Sequence, residues 1–189
     1  MKKETTKQSI LTEAVKLFAA SGYEAVSVDQ IAKAVGIKAP SLYKHYNSKR
    51  DIFESILRLM EQQDREHAAE CSVPVEASEE TPEAYEQTSV EALITFSKCQ
   101  FRYWTEDGFA ASFRKMLTLE QYRSEEMNRL YHQYLGTGPL NYVADILGSQ
   151  PDALAFYGPM YLLYSVYDNA GDKSSVNKLL DAHFERWSR

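Results

Sequence analysis

The sequence predicts an all-α protein, and three observations carry that expectation. Strand-like alternation is scarce along the 189 residues, apolar residues recur at three- and four-residue spacing in segment after segment, and glycine or proline stands where one segment gives way to the next. With 44% apolar residues the chain can bury a sizeable core. About nine or ten helices are expected, divided into a small N-terminal unit over residues 1–50, completed by the start of the fourth helix, and a larger helical body over 51–189.

The first helix runs from about Thr6 to Ser21. Ile10, Leu11, Ala14, Val15, Leu17 and Phe18 form its apolar stripe, and Gly22 is expected to end it in a left-handed conformation. After a short connector, Ser27 and Gln30 form a capping box ahead of Val28, Ile31, Ala32 and Val35, and Gly36 terminates this second helix. Pro40 sits in the first turn of a third helix, about Ala39 to His45, where its missing N–H has no intrahelical partner to lose. Asn47 or Ser48 caps a long fourth helix that carries Ile52, Phe53, Ile56, Leu57 and Met60 and reaches about Glu70. Residues 71–82, with two prolines, small residues and acids, are expected to be a linker or loop. Helical segments follow at about 83–105, 107–118, 120–135, 139–148, 151–169 and 174–187.

The formal charge of −6 argues, taken alone, against a nucleic-acid partner, because phosphate binding draws on Lys and Arg. The charge is unevenly spread. Residues 1–50 hold nine Lys or Arg against four acids, so the acidic excess lies wholly in the body. Cys71 and Cys99 are too few for a disulfide framework or a zinc site, which makes a reducing compartment the default. MKKETTKQSILTEAV lacks the apolar core of a signal peptide, and no segment approaches the roughly 20 apolar residues of a membrane span, so a soluble, cytoplasmic protein with no membrane partner is expected.

Two short helices joined by a tight glycine-containing turn make the helix-turn-helix pattern. Ala32 is small where the helices approach, Gly36 supplies the turn, and Ile37 and Leu42 fill the space between them. In a DNA-binding version the second helix enters the major groove. That helix is expected to present Lys38, Ala39, Ser41, Lys44 and His45 outward, with Pro40 in its first turn and Ser27 at the cap of the preceding helix. Tyr43 and Tyr46 can pack by the ring and reach a phosphate by the hydroxyl, while Lys49 and Arg50 add cations beside them.

The run ILTEAVKLFAASGYEAVSVDQIAKAVGIKAPSLYKHYNSKRDIF, residues 10–53, closely resembles the DNA-binding domain of tetracycline-repressor-like (TetR family) transcriptional regulators. The resemblance rests on Ala14, Leu17 and Phe18 before Gly22-Tyr23, on Ser27 with Ile31-Ala32, on Gly36, and on Leu42 to Tyr46 leading to Lys49. It implies a three-helix DNA-binding domain, a helical ligand-binding and dimerisation body, and repression of a palindromic operator that a small-molecule effector lifts. A different class also fits the acidic body: a helical small-molecule-binding or enzymatic protein whose DNA-binding motif is vestigial.

In the body, thirteen tyrosines in the chain exceed what a core wants, because each buried hydroxyl needs a partner. Phe96, Gln100, Tyr103, Trp104, Phe113, Met116 and Tyr131 are the expected lining of an effector pocket. The segment PDALAFYGPMYLLYSVYDNAG is apolar on more than one face, so Tyr157, Tyr161 and Tyr164, with Leu180 and Phe184 of the last helix, are expected to form a homodimer interface. The four histidines are dispersed, and neither cysteine is paired with a nearby histidine in any known pattern. No catalytic constellation, metal site or cofactor is expected.

Overall fold

The computed structural model describes residues 5–71 and 88–188, and the regular elements among them are all helices. These residues pack as two compact units. One comprises residues up to Asp64 together with Gly108–Tyr131, and the other Arg65–Asp107 together with the residues from His132 onward. These units cut the chain by packing, whereas the expected division at residue 50 is one of role. Most of the expected linker over 71–82 and the first residues of the helical segment expected from 83 lie outside the described residues.

In the first unit, α1 (Thr6–Ser21) turns Ile10, Leu11, Ala14, Val15 and Phe18 inward, as the three- and four-residue spacing dictates. It packs on α2 (Val28–Val35) and on the later helix α6 (Gly108–Glu120), whose Ala110, Phe113, Met116 and Leu117 are fully buried. The helix α4 (Lys49–Glu70) gives this unit Ile52, Phe53, Ile56 and Met60, all without solvent exposure. Ser48 caps α4 by accepting the Asp51 N–H at 3.1 Å.

The exit from α1 differs in detail from the expected left-handed end. Gly22 has φ +88° but ψ 152°, and its N–H closes the helix on the Phe18 carbonyl. The chain then turns over residues 23–25, and the Tyr23 N–H donates to Glu120 Oε1 at 3.1 Å. Glu120 is 2% exposed, and a buried carboxylate needs such donors. The Tyr23 ring meets Phe18 and Phe53 edge-on, with centroids at 5.1 and 5.2 Å.

The second unit is built from α5 (Val90–Glu106), α8 (Thr137–Leu147), α9 (Gln150–Asn169) and α10 (Lys173–Phe184), with α7 (Glu125–Tyr134) contributing its last residues. Serine or aspartate caps open three of these helices: Ser89, Ser149 and Asp172 each accept an N–H from the first turn. Proline 159 lies inside α9, which runs through it to Asn169. The core centres on Phe101, stacked on Tyr164 at 5.2 Å and edge-on to Tyr167, and on Phe156 against Phe184 at 5.0 Å.

Tyr46 ties the first unit together from its polar end. The residue is 2% exposed, and its hydroxyl donates to the Lys7 carbonyl at 3.1 Å. Burial, reinforced by the Asp51 carboxylate, pushes its pKa up to about 12. The unfolded chain therefore loses this proton first, near the ordinary tyrosine value of about 10, so the neutral hydroxyl's contribution is complete below that pH and is lost as the pH rises through about 12. Tyr46→Phe is expected to lower unfolding free energy by about 1 kcal/mol at neutral pH and to reduce the fall in stability above about pH 10, as measured by denaturant titration across that range.

Candidate nucleic-acid interface

The site begins with the end of α2. Ser27 accepts the Gln30 N–H at 3.2 Å while Gln30 Oε1 accepts the Ser27 N–H at 2.7 Å, so the expected capping box is complete. At the other end Gly36 adopts φ +77° and ψ 26°, the left-handed region that glycine enters without steric cost. The Gly36 N–H bonds to the Lys33 carbonyl and the Ile37 N–H to the Ala32 carbonyl, at 3.1 and 3.0 Å. This reciprocal pair satisfies two orphan carbonyls of α2 and turns the chain sharply into the next helix.

That helix, α3 (Ala39–Leu42), is shorter than the expected Ala39–His45. Beyond Leu42 the bonds tighten to three-residue spacing, Lys44 N–H to Ser41 and His45 N–H to Leu42, so the last residues form turns. The division of faces follows from one side chain. Leu42 is fully buried, and the same turn leaves Lys38, Pro40, Tyr43, Lys44 and His45 exposed, with Ala39 and Ser41 half-buried between them. Tyr43 keeps 51% of its surface in solvent.

The remaining expected contacts are engaged within the first unit. Lys49 Nζ donates to the Tyr23 carbonyl at 2.8 Å and lies 4.3 Å from the Tyr23 ring centroid. Tyr46 is withdrawn into the core as described above. Arg50 forms a bidentate pair with Glu126 at 2.7 and 2.6 Å and also donates to Glu54 at 2.8 Å. These hydrogen bonds raise the Arg50 pKa and hold the Glu126 carboxyl below its usual range, so both remain charged. Lys38 and Lys44 make no ion pair among the described residues.

The expected effector-pocket residues fall into both units. Phe113 and Met116 are fully buried and Tyr131 nearly so in the first unit, while Trp104 is buried in the second, with its ring edge-on to Tyr134. Phe96 lies against Tyr142 at 5.8 Å, and Gln100 Oε1 is buried with no hydrogen-bond partner among the described residues. A cavity of about 490 Å³ in the second unit is lined by Tyr103 alone of these seven, together with His67, Thr95, Lys98, Cys99, Arg102, Glu106 and Asp107.

The expected dimer residues are also mostly internal: Tyr157, Tyr164, Leu180 and Phe184 are buried in their own unit, and Tyr161 is 37% exposed. The apolar residues that α9 and α10 expose are instead Leu154, Leu162, Val166 and Leu179, beside Tyr161.

The cysteines require a correction. They form a Cys71–Cys99 disulfide with Cα atoms 6.2 Å apart, and His67 Nε2 lies 3.3 Å from Cys71 Sγ and 3.6 Å from Cys99 Sγ. His67, in the last turn of α4, and Cys71, just past its end, are four residues apart, a spacing visible in the sequence. The approach of Cys99 from α5, 28 residues along, is not visible there.

A short helix with an exposed cationic and aromatic face, set by a glycine turn onto the end of its predecessor, defines a helix-turn-helix protein. Residues 10–56 match the family model for bacterial regulatory proteins of the tetR family. Over this segment the chain carries the N-terminal domain of that TetR family. It is 42% identical over 52 residues to the biofilm operon icaADBC HTH-type negative transcriptional regulator IcaR of Staphylococcus aureus strain Newman, a match covering 28% of each chain. Its Staphylococcus epidermidis counterpart is 43% identical over 47 residues, 25% of each chain. The similarity thus spans little more than a quarter of these curated relatives.

Solved structures extend the likeness in fold to the whole chain. A TetR-like transcriptional regulator from Rhodococcus sp. RHA1 superposes with a TM-score of 0.65 at 18% identity, covering 98% of this chain and 97% of that one. The fatty acid degradation regulator FadR from Bacillus halodurans gives 0.62 at 19% identity, covering 98% and 95%.

The Gly36 turn yields a direct test. Nothing lies within 4 Å of the position a Cβ would take, so a side chain there meets backbone strain and no clash. Gly36→Val is expected to destabilise the protein by about 1–2 kcal/mol through that strain alone, and Gly36→Asn by clearly less, as read from urea unfolding curves.

Proposed function

We propose that the protein is a cytoplasmic transcriptional repressor that binds a palindromic DNA operator as a homodimer and is released from it by a small-molecule effector. The observation that carries this reading is the outer face of α3. Lys38, Pro40, Tyr43, Lys44 and His45 are exposed there while Leu42 is held in the core, and the segment that builds the face is the one matching the TetR family. In this proposal Lys38, Ala39, Pro40, Ser41, Tyr43, Lys44 and His45 approach base edges and phosphates in the major groove. Ser27 and Lys49 border the contact, and Tyr46 supports it from within. Residues 1–50 take the DNA-reading role, and 51–189 the effector and dimer roles.

Support for the dimer comes from Leu154, Leu162, Val166 and Leu179, four apolar side chains left in solvent on two consecutive helices. A second copy placed against them would cover this surface and set two reading heads on a two-fold axis, which doubles the bases read. Gln100, with its buried unpartnered oxygen, is one polar group in the second unit that an effector could engage. By linkage, an effector that releases DNA must bind the DNA-incompetent state more tightly, and DNA must weaken effector binding by the same factor.

Lys44→Ala is expected to weaken binding to DNA from upstream of the protein's own gene and to reduce the slope of log affinity against log salt by about one unit, as measured by fluorescence anisotropy over a salt series. Lys49→Ala is expected to change the slope less, because its ammonium is engaged at the Tyr23 carbonyl. Absence of any salt-sensitive specific complex in the wild-type chain would leave the vestigial-motif reading in its place. For the dimer, Leu162→Glu is expected to shift sedimentation from the dimer to the monomer.

A further inference from the structure

The disulfide lies at the edge of a cavity and against an imidazole, two features that the DNA-binding reading does not use. Cys71 closes the C-terminal end of α4 and is 7% exposed, whereas Cys99 is half-buried on α5 and lines the cavity of about 490 Å³. His67 lines the same cavity. Its Nε2 is within 3.6 Å of both sulfurs, and its ring is stacked on Tyr103 with centroids 4.1 Å apart and planes 18° apart. One sulfur is thus open to a small molecule, the other is sheltered, and a group able to carry a proton sits between them with its ring held in place.

We propose that Cys71 and Cys99 are a reversible redox site, oxidised by small hydroperoxides and reduced by small thiols through the cavity, with His67 as the proton carrier. In the reducing direction a thiolate entering the cavity attacks Cys99 Sγ. The Sγ–Sγ bond breaks and Cys71 leaves as a thiolate, which takes a proton from His67 Nε2 at 3.3 Å. A second small thiolate then attacks the mixed disulfide, releasing Cys99 and a small-molecule disulfide. In the oxidising direction the Cys99 thiolate attacks a hydroperoxide oxygen, giving a sulfenic acid and the alcohol or water. Cys71 then displaces that oxygen as water and restores the Sγ–Sγ bond.

A disulfide serving stability alone needs neither the cavity at one sulfur nor the imidazole at both. The cavity wall mixes charge, with Lys98, Arg102, Glu106 and Asp107 all lining it and the Lys98 ammonium paired with Asp181 at 2.7 Å, so it suits small reactants of low net charge. Closing and opening the bond ties and frees the last turn of α4 against α5. The proposal stands whether or not the chain binds DNA.

The test uses the full wild-type chain. After reduction and removal of reductant, titration of free thiols in denaturant is expected to find two per chain. Hydrogen peroxide should bring the count to zero, with a monomeric chain on a non-reducing gel and a mass two hydrogens below the reduced form. Glutathione should restore both thiols in the native state. His67→Gln is expected to keep the same thiol counts and slow native reduction by about tenfold or more; an unchanged rate would remove His67 from the mechanism. Several results would overturn the redox site: thiols that survive peroxide, sulfinic or chain-to-chain products, or a bond that glutathione reduces only after unfolding. A reduced chain that retains one zinc ion and is thereby protected from peroxide would do the same, because it would make the three residues a metal site.

Discussion

The exposed face around α3 depends on the way α2 ends. Four carbonyls at a helix C-terminus lack intrahelical partners, and at Gly36 two of them are satisfied by the N–H groups of the two residues that leave the helix. That closure demands a positive φ, so one glycine determines the direction in which α3 departs. Once the direction is set, burial of Leu42 determines the rotation of α3 about its axis. The exposed positions 38, 40, 43, 44 and 45 are then a geometric consequence, with no further interaction needed to hold them outward.

The same local rules explain which cations remain available. Arg50 and Lys49 stand at the start of α4, where acids and carbonyls of the first unit are within reach, and both are drawn into it: Arg50 by Glu54 and Glu126, Lys49 by Tyr23. An exposed ion pair of this kind adds little stability, but three hydrogen bonds to two carboxylates fix a guanidinium in one orientation. Lys38 and Lys44 flank α3, a short helix that carries no acid, and both are exposed to solvent. An N-terminal excess of positive charge is therefore thinner at the surface than the residue count suggests, and its unpaired part among the described residues includes Lys38 and Lys44 beside α3.

Local signals were legible in the sequence to the residue. The capping box at Ser27, the glycine at 36, the inward Leu42 and the spacing of Ile52, Phe53, Ile56 and Met60 each obey rules that act over four residues or fewer. Contacts between distant segments were not. Nothing in the neighbourhood of Glu120 or Glu126 announces that one will receive the Tyr23 N–H and the other Arg50, 97 and 76 residues away. The disulfide belongs with these, since its two cysteines sit on different helices and only His67 and Cys71 share a visible periodicity. On α9 the limit was of another kind: a helix apolar nearly all round has no polar face to orient it, so its inner and outer residues cannot be told apart by pattern.

The surplus of tyrosines shows how that ambiguity is resolved physically. A buried tyrosine hydroxyl requires an acceptor, and two of the thirteen find one in a backbone carbonyl of a distant element: Tyr46 in Lys7 and Tyr157 in Leu135. Each joins a ring in the core to a polar atom at its edge, so the residue both fills space and selects one arrangement of the helices over its neighbours. Tyr157 thereby commits one face of α9 to the second unit, and Phe101 stacked on Tyr164 commits the next turn to the same side. What is left on the opposite side, Leu154, Tyr161, Leu162 and Val166, is apolar by remainder. That outer face is the surface proposed above to meet a second copy.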